Sequence, residues 1–194
     1  MRIHTTQSGF TLVELLVSLT LFTVVVTMTM GSLLVVIDAN ARAQNMQEVM
    51  TNLTFALDSM TREIRTGRSY YCINSLPGSL SESATRDCTQ NTAFSFVEGG
   101  TSLTAGGDPR VAYRLNSARI ERRLGTGSWV PITSETVTIT TMQFTVTGSD
   151  TYQATGDVTP PSVVLYIEGH AGEIATTETS FQLQTTITKR ILDI

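Results

Sequence analysis

The chain has 194 residues, a formal net charge of −4 at neutral pH and only 15% charged residues. A mildly acidic balance makes it a poor general binder of nucleic acid. No Gly-rich phosphate loop, His-Glu-x-x-His helix or Ser/His/Asp grouping occurs, so the sequence offers no catalytic residues, no metal site and no cofactor site.

The first nine residues, Met1–Gly9, are polar, with Arg2 and no acid. They are too short for the apolar region of an ordinary secretory signal. Gly9 and Phe10 then lead into Thr11-Leu12-Val13-Glu14, after which no charge occurs until Asp38. From Leu15 to Ile37 the run is roughly 23 residues, enough to span a bilayer with some tilt. Ser18, Thr20, Thr23, Thr27, Thr29 and Ser32 are its polar members, and each can return its hydroxyl to a carbonyl one turn back. In lipid the backbone must satisfy itself, so the segment is predicted to be helical. A carboxylate at the head of such a segment costs on the order of 2.5–3.5 kcal/mol by insertion scales. The helix dipole favours an anion in this first turn, and a position at headgroup depth facing water would also accommodate Glu14. Arg2 favours an N-terminus on the cytoplasmic side.

Beyond Asp38 the composition turns polar, while Met46, Val49, Met50, Leu53, Leu57, Met60 and Ile64 recur at helical spacing. Gln47, Glu48, Asn52, Asp58, Arg62 and Glu63 fill the other face, as an amphipathic helix packed on a core requires. No proline precedes Pro77, so one helix is predicted from Phe10 to about Arg68, with Gly67 as its stop.

The remainder, 69–194, reads as a β-rich head. Strands are expected at Ala93–Val97, Val111–Leu115, Arg119–Leu124, Trp129–Ile132, Val137–Thr141, Met142–Thr147, Val163–Ile167 and Phe181–Thr188. The apolar phase changes between Thr141 and Met142, which predicts a bulge or break there. Asn116-Ser117-Ala118 reads as a hairpin turn, Gly99-Gly100, Gly106-Gly107 and Pro160-Pro161 as loops, and His170 as part of a turn between Gly169 and Gly172. In the last strand Phe181, Leu183, Thr185 and Ile187 share one face, the pattern of an antiparallel sheet with one wet side. The fold class is therefore α+β, a long helix on an antiparallel sheet. Arg114, Arg119, Arg122 and Arg123 form a local basic cluster, read as a solvated strand face, and Asp150 and Asp157 as solvated loop acids rather than calcium ligands.

Cys72 and Cys88 are the only cysteines and enclose a segment poor in apolar residues. On the far side of an inner membrane a bond between them would staple that loop by about 3 kcal/mol. Free thiols are the alternative. Half of a zinc site fails for want of histidines at suitable spacing.

The opening ensemble resembles the type IV prepilin signal shared by type IV pilins and the pseudopilins of type II secretion: a short polar leader, Gly9-Phe10, then an apolar run with Glu14 four residues after Phe10. The resemblance implies cleavage between Gly9 and Phe10 by a prepilin peptidase, N-methylation of Phe10, and pairing of Glu14 with the N-terminal amine of another subunit. It implies a pilin-like fold divided into leader 1–9, transmembrane helix 10–37, amphipathic continuation 38–68 and head 69–194. The implied partners are other pilins or pseudopilins and an inner-membrane assembly platform, with nucleic acid only in a DNA-uptake system. The implied location is the inner membrane, head outside, then a pilus or pseudopilus.

A second resemblance lies in the head. Val-x-Tyr-Arg-Leu, then Glu-Arg-Arg-Leu, then a tryptophan and a Val-to-Phe strand are similar to J-type minor pseudopilins and W-type minor pilins. The residues that carry it are Tyr113, Arg114, Arg122, Arg123, Val137, Met142 and Phe144. The chain lacks the C-terminal cysteine pair common in major pilins. The expected function is thus a non-catalytic minor subunit acting in assembly initiation or at the tip. A single-pass membrane-anchored binding protein with a ligand-recognising head is the alternative.

Overall fold

In the computed structural model, residues 9–100, 110–150, 156, 159–171 and 179–189 are described. Met1–Ser8 of the expected leader, the expected loop at Gly106-Gly107, Asp157 and Gly172 lie outside the described residues. The chain divides into two compact units, 1–43 and 44–194.

In the first unit, helix α1 (Leu12–Thr66) begins. The side chains of its apolar stretch are almost all exposed, Leu12 by 77% and Phe22 by 66%, and the helix is long and apolar enough to cross a membrane. Thr20 donates to the Val17 carbonyl at 2.8 Å, Thr23 to Thr20 at 2.8 Å and Thr29 to Val25 at 2.7 Å, while Ser18 donates to Glu14. These hydroxyls therefore add no unmet polar group to an apolar surface.

In the second unit α1 buries Val49, Leu53, Ala56, Met60 and Ile64. This seam differs from the expected stripe. Met46 and Met50 are 38% and 58% exposed, and Ala56 takes a buried place that its small size disguised in the sequence. The helix ends one residue before Gly67, whose amide donates to the Ile64 carbonyl at 3.0 Å. A side chain at Gly67 would collide with the Phe96 ring, so close packing demands the glycine.

Among the described residues nine strands follow: β1 (Arg68–Ile73), β2 (Cys88–Asn91), β3 (Ala93–Val97), β4 (Arg110–Asn116), β5 (Arg119–Leu124), β6 (Val130–Pro131), β7 (Val137–Thr147), β8 (Ser162–Ala171) and β9 (Thr179–Thr188). They form two antiparallel sheets, ordered β1-β3-β4-β5-β6 and β2-β7-β8-β9. The architecture is α+β and pilin-like, a long N-terminal helix packed on antiparallel sheets. Between the layers, Tyr70, Phe94, Phe96, Tyr113 and Phe144 form an aromatic cluster, with Phe94 and Phe144 stacked at 5.2 Å.

Several sequence expectations are corrected. Val137–Thr147 is one strand, and its register shifts between Ile139 and Thr141 rather than after Thr141. The irregularity at Thr140 returns Met142 to the buried face without breaking the strand. His170 lies within β8, paired with Thr138 and Ser180, not in a turn. Its neighbour Gly169 misled the reading: it serves close approach, because a side chain there would strike the Thr138 carbonyl and the Phe181 ring. Only Val130 and Pro131 of the Trp129–Ile132 segment are paired. The hairpin loop is Ser117-Ala118, both at positive φ (49° and 60°), the geometry that lets two residues join twisted strands.

Glu63 fixes α1 to the five-stranded sheet. Its Oε2 accepts from the Tyr113 hydroxyl at 2.6 Å and from Arg122 Nε at 3.0 Å. Burial and then the Glu63 carboxylate push the Tyr113 phenol well above its ordinary range. The folded state thus holds that proton more tightly than the unfolded chain does. Its contribution is present below the ordinary phenol pKa of about 10 and is lost as pH rises beyond it. Tyr113→Phe is expected to lower head stability by about 1.5–3 kcal/mol at neutral pH, the range for a hydrogen bond to a charged group. In denaturant titrations of the detergent-solubilised protein, the gap between wild type and variant should narrow above about pH 10. A pH-independent gap would contradict the assignment.

Candidate functional site

The N-terminal site is built on the first turn of α1. Gly9 and Phe10 precede the helix, and the Phe10 side chain is 84% exposed. A side chain at Gly9 would meet nothing within 4 Å, so the folded chain imposes no need for glycine there. Thr11 caps the helix: its Oγ1 accepts from the Glu14 amide at 3.3 Å, and its carbonyl accepts from the Leu15 amide at 3.2 Å. Thr11-x-x-Glu14 has the spacing of a capping box, a signal the sequence reading passed over. The Glu14 carboxylate is in the acidic first turn and makes no ion pair among the described residues. The start of the helix therefore presents an accessible Gly9–Phe10 peptide, a carboxylate with no ion pair among the described residues, and an uncharged, mostly apolar continuation.

Cys72 and Cys88 are bonded, with Cα atoms 5.6 Å apart. Because Cys72 is on β1 and Cys88 on β2, the bond joins the two sheets as well as closing the intervening loop. Strands β1 and β2 were absent from the sequence reading. β2 is short and polar; β1 follows directly on the helix and buries Tyr70 and Cys72, and the loop backbone reinforces it: the Arg86 amide donates to Tyr70 at 2.9 Å, and the Cys72 amide to Arg86 at 3.2 Å. Asp87 accepts from the Gly148 and Ser149 amides at 3.1 and 2.9 Å, tying the loop to the end of β7.

Buried Arg110 organises the same loop from beneath. Its Nη2 donates to the Ser81 and Ala84 carbonyls at 2.9 and 2.5 Å, its Nη1 to Ser69 at 3.0 Å, and its Nε to Ser81 at 3.1 Å. A guanidinium spends its rigid fork of donors on carbonyls that a polar loop would otherwise leave unmet. No sequence pattern flagged Arg110, since its role depends on carbonyls about thirty residues away.

The basic cluster is not a simple solvated face. Arg114 Nε pairs with Glu121 at 2.8 Å, Arg119 with Glu135 at 2.8 Å, and Arg122 with Glu63 at 3.0 Å. Burial opposes the Glu121 charge, but hydrogen bonds from Asn116 and Arg114 outweigh it and hold this carboxyl below its ordinary value. Arg114 and Arg123 both lie over Trp129, 4.1 and 4.6 Å from the ring centre. Asp150 accepts from the Thr85 hydroxyl at 2.8 Å. Among the described residues, no group of three or more His, Cys, Asp or Glu gathers as a metal site would require.

A family profile described as the prokaryotic N-terminal methylation motif matches residues 4–30. No curated protein and no solved structure gives a significant match to the chain. The motif supports a type IV pilin-like protein, a pilin or pseudopilin-type subunit, and the family that carries it is structural rather than catalytic. It implies processing by a prepilin peptidase and assembly with other pilins, and with the apolar helix it fits membrane anchoring and a pilus or pseudopilus destination.

The disulfide geometry generates a stability prediction. Cys72→Ser is expected to cost about 3 kcal/mol on the chain-entropy account. Arg110→Met should cost at least as much, because several buried carbonyls lose their donor at once. Urea unfolding of each variant and of the pair measures this. Costs that add without interaction would show that the two devices do not hold the same loop.

Proposed function

We propose that the chain is a minor pilin or pseudopilin, a non-catalytic subunit that acts in starting a filament or at its tip. The observation that carries the reading is an unpaired Glu14 carboxylate heading an exposed apolar helix, one turn after an accessible Gly9–Phe10 bond. In this reading prepilin peptidase cuts after Gly9, leaving the anchor in place, and Phe10 becomes the N-methylated first residue. The segments are a leader at 1–9, a transmembrane helix at 10–37, its amphipathic continuation at 38–68 and a head at 69–194.

Glu14 then pairs with the N-terminal amine of a subunit already seated in the assembly platform. Both charges are costly in hydrocarbon and become tolerable together, so one stagger of neighbouring helices is selected. The Cys72–Cys88 bond supports a head on the oxidising, extracytoplasmic side of the inner membrane. For a minor role, support comes from the order of Tyr113, Arg114, Arg122, Arg123, Trp129, Val137, Met142 and Phe144, which is similar to J-type and W-type minor subunits.

A second reading, a single-pass anchored protein with a ligand-binding head, is favoured by the Thr11 cap. Capping alone gives a glutamate at this position a local use.

Glu14→Gln separates the two. Glutamine serves a capping box as well as glutamate does, but it carries no charge to pair with an amine. The variant should reach the membrane at wild-type level or better, with Phe10 N-methylated, while its co-purification with partner pilins falls about tenfold or more, as expected when a desolvated pair is broken. Mass spectrometry of the N-terminus and quantitative co-purification measure both. Wild-type incorporation of Glu14→Gln would remove the carboxylate from the registering role, and an intact Met1 in assembled protein would remove the processing.

A further inference from the structure

The loop closed by the disulfide and the five-stranded sheet enclose a cavity of about 230 Å³, lined by Asn74 and Ser75 on one side and by Arg114, Arg123 and Trp129 on the other. Leu76 and Arg123 also line a second, much smaller cavity of about 10 Å³. Three observations single out Arg123. It has no carboxylate partner among the described residues, whereas Arg114, Arg119 and Arg122 each have one. Its Nε is buried without a hydrogen-bond acceptor. Its guanidinium is held over Trp129, at 4.6 Å from the ring centre.

We propose that this cavity is a docking site for the side-chain carboxylate of an aspartate or glutamate on a partner protein. Arg114, Arg123 and Glu121 leave one positive charge unbalanced at its wall. Held over the indole, the Arg123 guanidinium has already lost part of its freedom, so pairing with a carboxylate costs less further ordering. The volume favours a side chain over a whole ligand, because small-molecule pockets run from about 300 to 1,000 Å³. The far wall is preformed: Asn74 accepts from the Thr92 amide at 3.3 Å and the Thr92 hydroxyl donates to the Asn74 carbonyl at 3.0 Å, while the disulfide holds the loop's base. This site stands on the cavity and does not depend on the role of Glu14.

The test uses the full chain in cells, with p-benzoylphenylalanine at Ser75 and mass spectrometry of the photo-cross-linked peptide. The expected product joins the head to one defined segment of a partner that contains Asp or Glu. Arg123→Glu should reduce it about tenfold or more. Charge reversal of the partner's acidic residue to arginine, combined with Arg123→Glu, should restore it. Arg123→Gln, which keeps polarity and length, is the second variant, and a melting temperature within a few degrees of wild type shows that the head is intact. A cross-link insensitive to both variants overturns the proposal. So does the absence of any protein cross-link where galacturonate raises the melting temperature in an Arg123-dependent way, an outcome that would make this a sugar-acid site.

Discussion

The apolar run Leu15–Ile37 has no packing partner within its own unit, and this constraint orders much of the rest. At about 25 cal/mol per Å² of apolar surface, leaving such a helix in water is prohibitively unfavourable, so lipid or neighbouring helices must cover it. That demand explains the absence of charge from the run and the inward return of its hydroxyls to their own backbone. It also makes Glu14 informative. Ser18, Thr20, Thr23, Thr27 and Thr29 each have a backbone partner that lowers their cost, whereas the carboxylate's charge has no ion-pair partner among the described residues.

The second half of α1 solves a different problem, and Glu63 is its central device. A carboxylate that accepts from both a tyrosine and an arginine on adjacent strands fixes the rotation of the helix about its axis, which apolar packing leaves softer. Tyr70 adds a second tie by donating to the Ile64 carbonyl at 2.6 Å, where the helix ends. A third lies nearer the start of this unit, where the Thr136 hydroxyl donates to Glu48 at 2.6 Å. These polar contacts flank the Val49–Ile64 seam and give it a single register. The pair formed by Arg62 and Asp58, exposed at 79% and 69%, contributes little beside them.

What the sequence made legible follows the physics of each element. Helix α1 and the long strands β4, β5, β8 and β9 were readable because their apolar periods are repeated enough to stand out. In β9, Phe181, Leu183 and Ile187 do share the inward-facing side. Strand β2 was not readable, because its four polar residues have no pattern of their own, and β1 was missed because it runs on from the helix with only Gly67 between, although Tyr70 and Cys72 form its buried face. The exposed Met46 and Met50 show the limit of periodicity: it places residues on a face but not where that face stops being covered. In the site, Gly9, Phe10, Glu14 and the two cysteines were visible as residue types. The Thr11 cap, the linking of two sheets through Cys72–Cys88 and the work of Arg110 were not, since each depends on geometry.

Glycine sharpens the distinction between residues that serve this fold and residues that serve another molecule. Gly67 and Gly169 are crowded: a side chain at either position meets a ring or a carbonyl, and the fold itself explains both. Gly9 is open on every side, and no contact within the chain would change if it carried a side chain. On the proposed reading, a peptidase that admits the chain at this point supplies the missing constraint, since the described fold does not. The same separation applies to the arginines. Arg110 and Arg122 are consumed by the fold, the first by loop carbonyls and the second by Glu63. Arg123 lies over Trp129 and has no carboxylate partner among the described residues, which is why the proposed acidic partner is placed there.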